Sequence, residues 1–250
     1  MTADPTPDAH GAEPRAREER APGPPAPRSP GRDRERGEPG AVAPLVLGRL
    51  SVFREAAAAR LSAFTPTTVG HQPGVRRAAV VVCVVERAGV PSVIVIKRAY
   101  QGRNAGQWGL PGGRLDDGET PVRAALRELH EEVGLNVGAD EILGRLDDFP
   151  AASGFAITPI VVAAADPGPV RRNPAEVHSV HYVGLDRLAA PDVARWVPQL
   201  NGGHLLQLRL RHDMVVHAPT GAMLWQFREV ALLGRATRVA GFLQPDWTYR

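Results

Sequence analysis

Three glutamates in the middle of the chain have the residue type and the spacing to do chemistry. Glu131 and Glu132 follow Glu128 by three and four positions, so on a helix all three lie on one side. Like charges at this spacing repel by about 0.2–0.5 kcal/mol per pair, and near the end of a helix the macrodipole favours cations instead. A solvated acidic face is one interpretation. The other is a divalent cation site, because clustered carboxylates are the ligands that Mg²⁺ and Mn²⁺ prefer.

The segment that carries these glutamates predicts one helix, from Pro121 to Val133. Thr120 is a natural N-cap, and proline suits the first helical position. Gly134 suits the left-handed residue that ends a helix. The helix would be about 20 Å long. An apolar stripe at helical spacing would pack against the core: Val122, Leu126, Leu129 and Val133.

The acidic helix belongs to a longer pattern of fixed spacings. Gly113 is followed after five residues by Glu119, then after seven more by the run Arg127–Glu132 and by Gly134-Leu135. This pattern resembles the complete signature of the Nudix hydrolases, with all its specified positions filled. The resemblance implies a hydrolase acting on a nucleoside diphosphate linked to another group. It also implies an α+β fold, an α/β/α sandwich around a mixed β-sheet, with the signature as a loop-helix-loop catalytic motif.

The resemblance further implies a metal site. Glu128, Glu131 and Glu132 would bind Mg²⁺ or Mn²⁺, and the backbone carbonyl of Gly113, or that of Gly112, would be a further ligand. Water and substrate phosphate would complete the coordination.

Other members of the signature are implied to support catalysis. Arg127 and Glu119 would form an ion pair that orients the catalytic helix and loop. The position of the general base varies within the family, so the resemblance does not identify one residue. Glu128 is one candidate, and Glu176, outside the signature, is a second whose alternative interpretation is an ordinary carboxylate at a strand edge.

The residues just before the helix are predicted to bind the substrate. Arg98 and Arg103 are suited to grip phosphate, and the glycines of the loop, Gly112 and Gly113 among them, permit close backbone approach to a ligand. Trp108 in the same loop either stacks on a base or packs in the core.

The same stretch, residues 95–113, partly resembles the coenzyme A diphosphatase branch of the family. The matching positions are Arg98, Ala99, Arg103 and Gly106. The interval from Arg103 to Gly106 is one residue short of that branch's pattern, and Leu110 stands where the branch has phenylalanine. Coenzyme A is therefore one candidate substrate, and nucleotide sugars, dinucleotides, ADP-ribose, NADH and oxidised nucleoside triphosphates stay open.

Other classes of function fit the sequence less well. His130-Glu131 begins a zinc-peptidase motif, but Gly134 takes the position of its second histidine, and no G-x-S-x-G elbow is present. The pairs His178/His181 and His212/His217 are interpreted as scattered or satisfied histidines. The serious alternative is a Nudix-fold module that senses a nucleotide without cleaving it. The complete set of signature glutamates favours an enzyme.

The composition limits partners and location. The net charge is +3 and Lys97 is the single lysine, so we expect a small nucleotide-type substrate and no nucleic-acid partner. The lone Cys83 excludes an intramolecular disulfide. No run approaches about 18 apolar residues, and the first residues lack an apolar signal core. We expect a cytoplasmic protein with no membrane partner.

The organisation of the chain is predicted from its proline content and from its helix-like and strand-like runs. Residues 1–42 hold nine of the 24 prolines and predict a disordered tail. Residues 43–66 predict an N-terminal helix that covers the domain or supports a homodimer. Residues 67–250 predict the Nudix domain with a C-terminal helical extension, Thr220 to Leu233, capped by Thr220. The predicted strands are Val75–Arg87, Val93–Arg98, Glu141–Phe149, Phe155–Ala165, Val177–Val183 and Leu205–Leu210.

Overall fold

The computed structural model describes residues 47–70, 72–100, 104–200 and 202–248. The predicted disordered tail and the substrate-binding candidate Arg103 lie outside these residues. The described helices are α1 (Leu50–Ala63), α2 (Pro121–Val133), α3 (Leu185–Ala189) and α4 (Thr220–Phe227), with a π-helical turn at Arg228–Leu232 and 3₁₀ turns at Ala139–Glu141 and Asp246–Thr248. The strands are β1 (Arg76–Arg87), β2 (Val90–Arg98), β3 (Trp108–Gly109), β4 (Gly112–Arg114), β5 (Ile142–Arg145), β6 (Phe149–Ala151), β7 (Phe155–Ala164), β8 (Val177–Gly184), β9 (Ala194–Pro198), β10 (His204–Arg211) and β11 (Met214–Val216).

Eight of the described strands form one mixed sheet with β1 at its centre. β1 pairs in parallel with β7 and antiparallel with β2 and β4. β2 also pairs with β3 and β8, and β7 also pairs with β5 and β6. The short strands β3 and β4 therefore lie where β1 and β2 separate, which brings the glycine-rich loop into the sheet.

The turn between β1 and β2 is shorter than the interval between the two predicted strands, residues 88–92. It consists of Ala88 and Gly89, whose φ angles are 51° and 77°. Two residues of positive φ match the twist of an antiparallel hairpin. Val90 and Pro91 consequently belong to β2, where they pair with Arg87 and Glu86.

Both faces of β1 are buried, because its side chains alternate between two apolar cores. Val80, Val82 and Val84 belong to the core that also contains residues of α1 and α4. Val81 and Cys83 belong to the opposite core, together with residues of α2. Helices thus cover the sheet on both sides, and the predicted α+β fold, an α/β/α sandwich around a mixed sheet, is confirmed.

Helix α2 has the predicted limits at both ends. The Thr120 side chain accepts a hydrogen bond from the Arg123 N–H at 3.3 Å, and Gly134 ends the helix at φ 74°. Leu129 and Val133 of the predicted stripe are fully buried. The other two members of the stripe, Val122 and Leu126, are partly buried against the same core.

Helix α1 lies in the region where an N-terminal helix is predicted. Its buried side chains are Leu50, Phe53, Ala57 and Leu61. Arg60 donates hydrogen bonds to the backbone oxygens of Ala231 and Leu232, at 2.8 and 2.7 Å. Arg60 thereby satisfies two carbonyls at the π-helical turn and ties α1 to the C-terminal part of the chain.

The C-terminal part contains more strands than the sequence predicts. β9, β10 and β11 form a second, antiparallel sheet, and β9 and β11 were not predicted. Helix α4 is capped by Pro219 without a side-chain hydrogen bond, so the predicted cap at Thr220 is wrong. The α-helical geometry ends at Phe227, and the π-helical turn continues the helix to Leu232, one residue before the predicted end at Leu233. None of the described helices is long and apolar enough to cross a membrane.

Candidate active site

The glycine pair and the acidic helix meet above β1. Gly112 and Gly113 of β4 pair with Val80 and Ala79 of β1, and the chain then turns back into α2. A Cβ on Gly112, at φ 153°, would lie 2.4 Å from the backbone oxygen of Ala79. A Cβ on Gly113 would lie 2.2 Å from Oε1 of Glu128. Gly112 must be glycine because the backbone of the sheet approaches it this closely, whereas a side chain at Gly113 would displace the Glu128 carboxylate.

Glu132 is the most buried of the three glutamates. Its side chain is 2 % exposed, and Oε2 accepts a hydrogen bond from the Gly112 N–H at 2.9 Å. Nη1 of Arg98 lies 3.9 Å from Oε1. Burial raises the pKa of Glu132 to about 7, although the Gly112 N–H and the Arg98 charge oppose the rise. Glu132 therefore connects α2 to the glycine pair and to a predicted substrate-binding arginine.

Glu128 and Glu131 share a hydrogen-bond donor. Nη1 of Arg127 lies 3.0 Å from Glu128 Oε1 and 3.0 Å from Glu131 Oε2. The Glu131 side chain is 49 % exposed and that of Glu128 is 16 % exposed. Burial raises the pKa of Glu128, and the hydrogen bond from Arg127 opposes the rise. The exposed fraction of the three carboxylates therefore increases from Glu132 through Glu128 to Glu131.

The predicted ion pair between Arg127 and Glu119 is present and bidentate. Nε and Nη2 of Arg127 donate to the two carboxylate oxygens of Glu119 at 3.1 and 2.9 Å, and Nη2 also donates to the Arg114 backbone oxygen at 3.0 Å. The hydrogen bond from Arg127, followed by that from the Asp116 N–H, lowers the pKa of Glu119. One arginine therefore joins α2 to the loop that precedes it.

The donor chemistry of the cluster fits a divalent cation, although the carboxylates do not converge on one point. Within residues 47–70, 72–100, 104–200 and 202–248, no three acidic, histidine or cysteine side chains are arranged to hold a metal ion. Glu128 and Glu132 nonetheless have raised pKa values because burial is incompletely offset by the neighbouring arginines. A hard cation would supply the missing positive charge, and carboxylate oxygens are suitable ligands.

Glu176, the second candidate base, lies beside the same cluster. It is exposed in the turn before β8, and its backbone oxygen accepts a hydrogen bond from the Ala99 N–H at 2.8 Å. After burial and other charges, the charge of Glu176 also contributes to the raised pKa values of Glu128 and Glu132. The turn therefore brings a fourth carboxylate towards the signature helix.

A cleft of about 440 Å³ contains the described substrate-binding candidates. Arg98, Gly112 and Gly113 line it, and Trp108 contributes part of its wall while packing against the core. The sequence did not identify the opposite wall, which includes Pro219, Thr220, Met223 and Thr248. No local pattern marks these residues, since they follow the signature by more than 80 positions and reach the cleft only through the fold.

The histidines in the described part of the chain do not form a metal site, but one of them has a ring nitrogen without a hydrogen-bond partner. The His212 side chain is 94 % exposed beside Asp213. His181 shares a hydrogen bond with Ser179 and lies edge-on to Trp108. The Nδ1 atom of His217 is buried and has no hydrogen-bond partner in the described part of the chain. The interpretation of His217 as a satisfied histidine is therefore wrong.

Comparison with known proteins places the signature in a known family. Over 111 residues, 44% of this chain, it is 35% identical to the uncharacterized Nudix hydrolase NudL of Escherichia coli O6:H1 and 34% identical to NudL of Shigella boydii serotype 18. The matched region spans 58% of the length of each of these relatives.

Two solved structures are similar to part of the chain, and the family model matches half of it. A MutT NUDIX hydrolase from Burkholderia pseudomallei is 31% identical, with 44% of this chain and 84% of that chain covered at a TM-score of 0.35. The Nudix hydrolase RenU from M. smegmatis is 23% identical, with 63% and 85% covered at a TM-score of 0.39. Residues 75–200, half of the chain, match the NUDIX domain, and they contain the complete signature and the strands that position it. The chain therefore belongs to the Nudix family.

Proposed function

We propose that the protein hydrolyses a diphosphate bond in a nucleoside diphosphate linked to another moiety, with Mg²⁺ or Mn²⁺ as cofactor. The observation that carries this proposal is the position of the three signature glutamates. Glu128, Glu131 and Glu132 lie on one helix beside the glycine pair, and that pair also lines the neighbouring cleft. Membership of the Nudix family and the absence of any lost signature residue support an enzyme.

The metal ligands in this proposal are Glu128, Glu131 and Glu132, with the Gly113 backbone carbonyl as a further candidate. A divalent cation, when bound, neutralises diphosphate charge and lowers the pKa of a bound water. The protein contributes hard oxygen donors on a helix whose two ends are capped. It also excludes solvent from Glu132, which strengthens that carboxylate's interaction with any cation.

Substrate phosphate would be bound by Arg98. This guanidinium lines the cleft and lies 3.9 Å from Glu132, so a phosphate there would be close to the acidic helix. Guanidinium groups bind phosphate oxygens in pairs, which orients as well as attracts them. Arg103, the second predicted phosphate ligand, stays a prediction outside the described residues.

Glu128 is the first candidate for the general base. Burial raises its pKa, which makes it a stronger proton acceptor than an exposed glutamate. Glu176 is the second candidate because it carries a nearby carboxylate that is exposed to solvent. In either case the carboxylate would accept a proton from the attacking water, while Arg127 and Glu119 keep the helix in position.

Coenzyme A is one candidate substrate, because the sequence before the glycine pair partly resembles the coenzyme A diphosphatase branch. Ala99 and Gly106, two positions shared with the coenzyme A diphosphatase branch, are joined by a hydrogen bond from the Gly106 N–H to the Ala99 oxygen at 3.2 Å. Gly106 has φ 67°, and a Cβ there would lie 2.7 Å from Cε1 of Tyr100. A glycine is therefore required where the loop closes. ADP-ribose, NADH, nucleotide sugars, dinucleotides and nucleoside triphosphates are the other candidates within the same class of reaction.

The test is a panel of diphosphate compounds incubated with the protein and Mg²⁺, Mn²⁺ or EDTA, with products identified by mass spectrometry. We expect cleavage with a metal and none with EDTA. Coenzyme A should yield 3′,5′-ADP and 4′-phosphopantetheine if it is the substrate. Rapid turnover of ADP-ribose or NADH without coenzyme A cleavage would assign the protein to another branch of the family.

A non-catalytic nucleotide-sensing module is the second candidate. One observation favours it: Arg127 already contacts both Glu128 and Glu131, so a cation must compete with this guanidinium. Nucleotide binding without cleavage of any compound in the panel would support this alternative and reject the hydrolase. A cytoplasmic location and a homodimer formed through the N-terminal helix are further predictions of the sequence.

A further inference from the structure

The part of the chain that follows the family domain forms one wall of the cleft. The match to the NUDIX domain ends at residue 200. Pro219, in the turn before α4, and Thr220, the first residue of α4, nevertheless line the cleft, and the last 3₁₀ turn contributes Thr248. The substrate's surroundings are thus determined in part by residues outside the family domain.

A second pocket of about 430 Å³ adjoins this cleft. The two cavities share part of their lining, namely Gln107, Trp108, Pro219, Thr220 and Thr248. Only the second pocket is lined by His217 and Trp247. A molecule whose phosphates lie beside the glycine pair can therefore extend past Trp108 into the second pocket.

The second pocket offers an exposed ring surface beside a histidine that has a buried, unpartnered nitrogen. Trp247 is 52 % exposed and meets the His217 ring edge-on, with centroids 5.1 Å apart and an angle of 84°. Nδ1 of His217 is buried and unpartnered among the residues that the structure describes. Burial lowers the pKa of His217, so its ring is neutral at neutral pH and has one donor and one acceptor nitrogen.

These features together suit a planar heterocycle with polar atoms on its edge. An exposed indole stacks on such a ring, and every nucleobase has a face that can stack. The unpartnered Nδ1 of His217 has almost no accessible surface, so a polar edge of the ligand would pair with it after a small shift of the side chains around it. An aliphatic or purely anionic group would use neither feature.

We infer that the pocket lined by His217 and Trp247 binds the heterocyclic base of the substrate, with its phosphates beside Arg98 and the glycine pair. The inference rests on the proposed function, because it assigns a position to the nucleoside half of the proposed substrate. It assigns base selectivity to the C-terminal segment of this chain, outside the family domain.

Calorimetric titration of the full-length protein separates the base from the phosphate. The probes are AMP and ribose 5-phosphate, which differ by the presence of the base, and neither has a diphosphate bond to cleave. The variants are Trp247→Ala and His217→Phe. The first removes the stacking surface but keeps the Trp247 backbone oxygen that accepts a hydrogen bond from Gln107. The second keeps a ring against Trp247 and removes Nδ1.

We expect wild-type protein to bind AMP more tightly than ribose 5-phosphate. Each variant should weaken AMP binding by about tenfold or more and leave ribose 5-phosphate binding unchanged. Trp196→Ala is the matched control, since Trp196 is 42 % exposed and lines neither cavity. Circular dichroism melting curves would verify that each variant folds.

Two results would overturn the inference. One is equal binding of AMP and ribose 5-phosphate by wild-type protein; the other is unchanged AMP binding in correctly folded Trp247→Ala. Either result leaves the proposed hydrolysis intact if the diphosphate panel shows metal-dependent cleavage. Conversely, a diphosphate panel without cleavage would reject the proposed hydrolase. Loss of AMP binding in the variants would even then show that the base binds in the pocket lined by His217 and Trp247.

Discussion

At the scale of single residues, the three signature glutamates differ in environment although they share one side of a helix. Glu132 is almost fully buried and hydrogen-bonded to the glycine pair, whereas Glu131 is half exposed. Glu128 is intermediate and lies against Gly113. Removing charge from each should therefore have different effects on folding and similar effects on catalysis.

Glu131→Gln and Glu132→Gln should each lower metal-dependent turnover by roughly 100-fold or more, because each removes an anionic metal ligand. Turnover of the best substrate in the diphosphate panel, measured with Mg²⁺ and Mn²⁺, checks this expectation. Glu55→Gln, an exposed change on α1, is the control and should retain wild-type rates. Wild-type rates in either signature variant would reject the assignment of that residue as a metal ligand.

Glu132 should also make stability depend on pH. Its pKa is raised from 4.5 to about 7, so the folded protein binds more protons than the unfolded chain between these values. Stability should therefore fall as pH rises through this window, by up to about 3 kcal/mol, and then level off. Glu132→Gln removes this dependence, because its amide does not titrate.

Urea unfolding with EDTA at about pH 5 and about pH 8 tests that dependence. The free energy of unfolding of the variant should exceed that of wild-type protein more at the higher pH than at the lower. Parallel pH profiles for the two proteins would show that Glu132 is already compensated in the folded state.

At the scale of elements, the site depends on how α2 is joined to the loop before it. Arg127 forms the bidentate pair with Glu119 and also donates to the Arg114 backbone oxygen, Glu128 and Glu131. A single planar guanidinium makes all these contacts at once. The caps at Thr120 and Gly134 determine where the helix begins and ends, and Arg127 determines its position over the loop.

Arg127→Lys should lower turnover by roughly 10- to 100-fold, because an ammonium group cannot form the bidentate pair and the backbone contact together. Arg123→Lys, an exposed change on the same helix, is the control. Metal affinity and the separate values of kcat and KM distinguish a positioning role from a general loss of folding. A variant with normal kcat and normal metal affinity would show that Arg127 does not position the glutamates.

At the scale of the whole molecule, segments on both sides of the family domain are bound to it by two buried aspartates. Asp148 accepts hydrogen bonds from the Val69 N–H, Arg77 and Thr158. The neighbouring aspartate, Asp147, likewise accepts from Thr67, Gln226 and Arg238. Buried carboxylates with several donors are costly to disrupt. The segment before β1 and the segment after α4 are therefore part of the folded core.

Residues 1–42 should contribute little to catalysis, in contrast to these segments. Their composition, rich in proline and charge and without aromatic residues, offers little apolar surface to bury. Deleting them should leave kcat/KM and the melting temperature nearly unchanged. A collapse of activity in the shortened protein would show that the tail takes part in the site.

The predictable part of the molecule is the part that depends on short-range interactions. Helix α2 has the predicted limits because capping and left-handed termination involve residues only a few positions apart. β1 and β7 were predicted because long apolar runs indicate buried strands. β9 and β11 were missed because they are short and are stabilised by pairing with β10.

By itself, the sequence determined the family signature, the acidic helix and the sheet that supports it. The tertiary structure alone decided that Glu132 is buried under Gly112, that Arg127 bridges Glu128 and Glu131, and that the segment after the family domain forms part of the cleft wall. The physical reason is the separation along the chain over which each kind of interaction acts. Caps, spacings and apolar periods act between near neighbours in the chain, whereas burial and pocket walls depend on segments that only folding brings together.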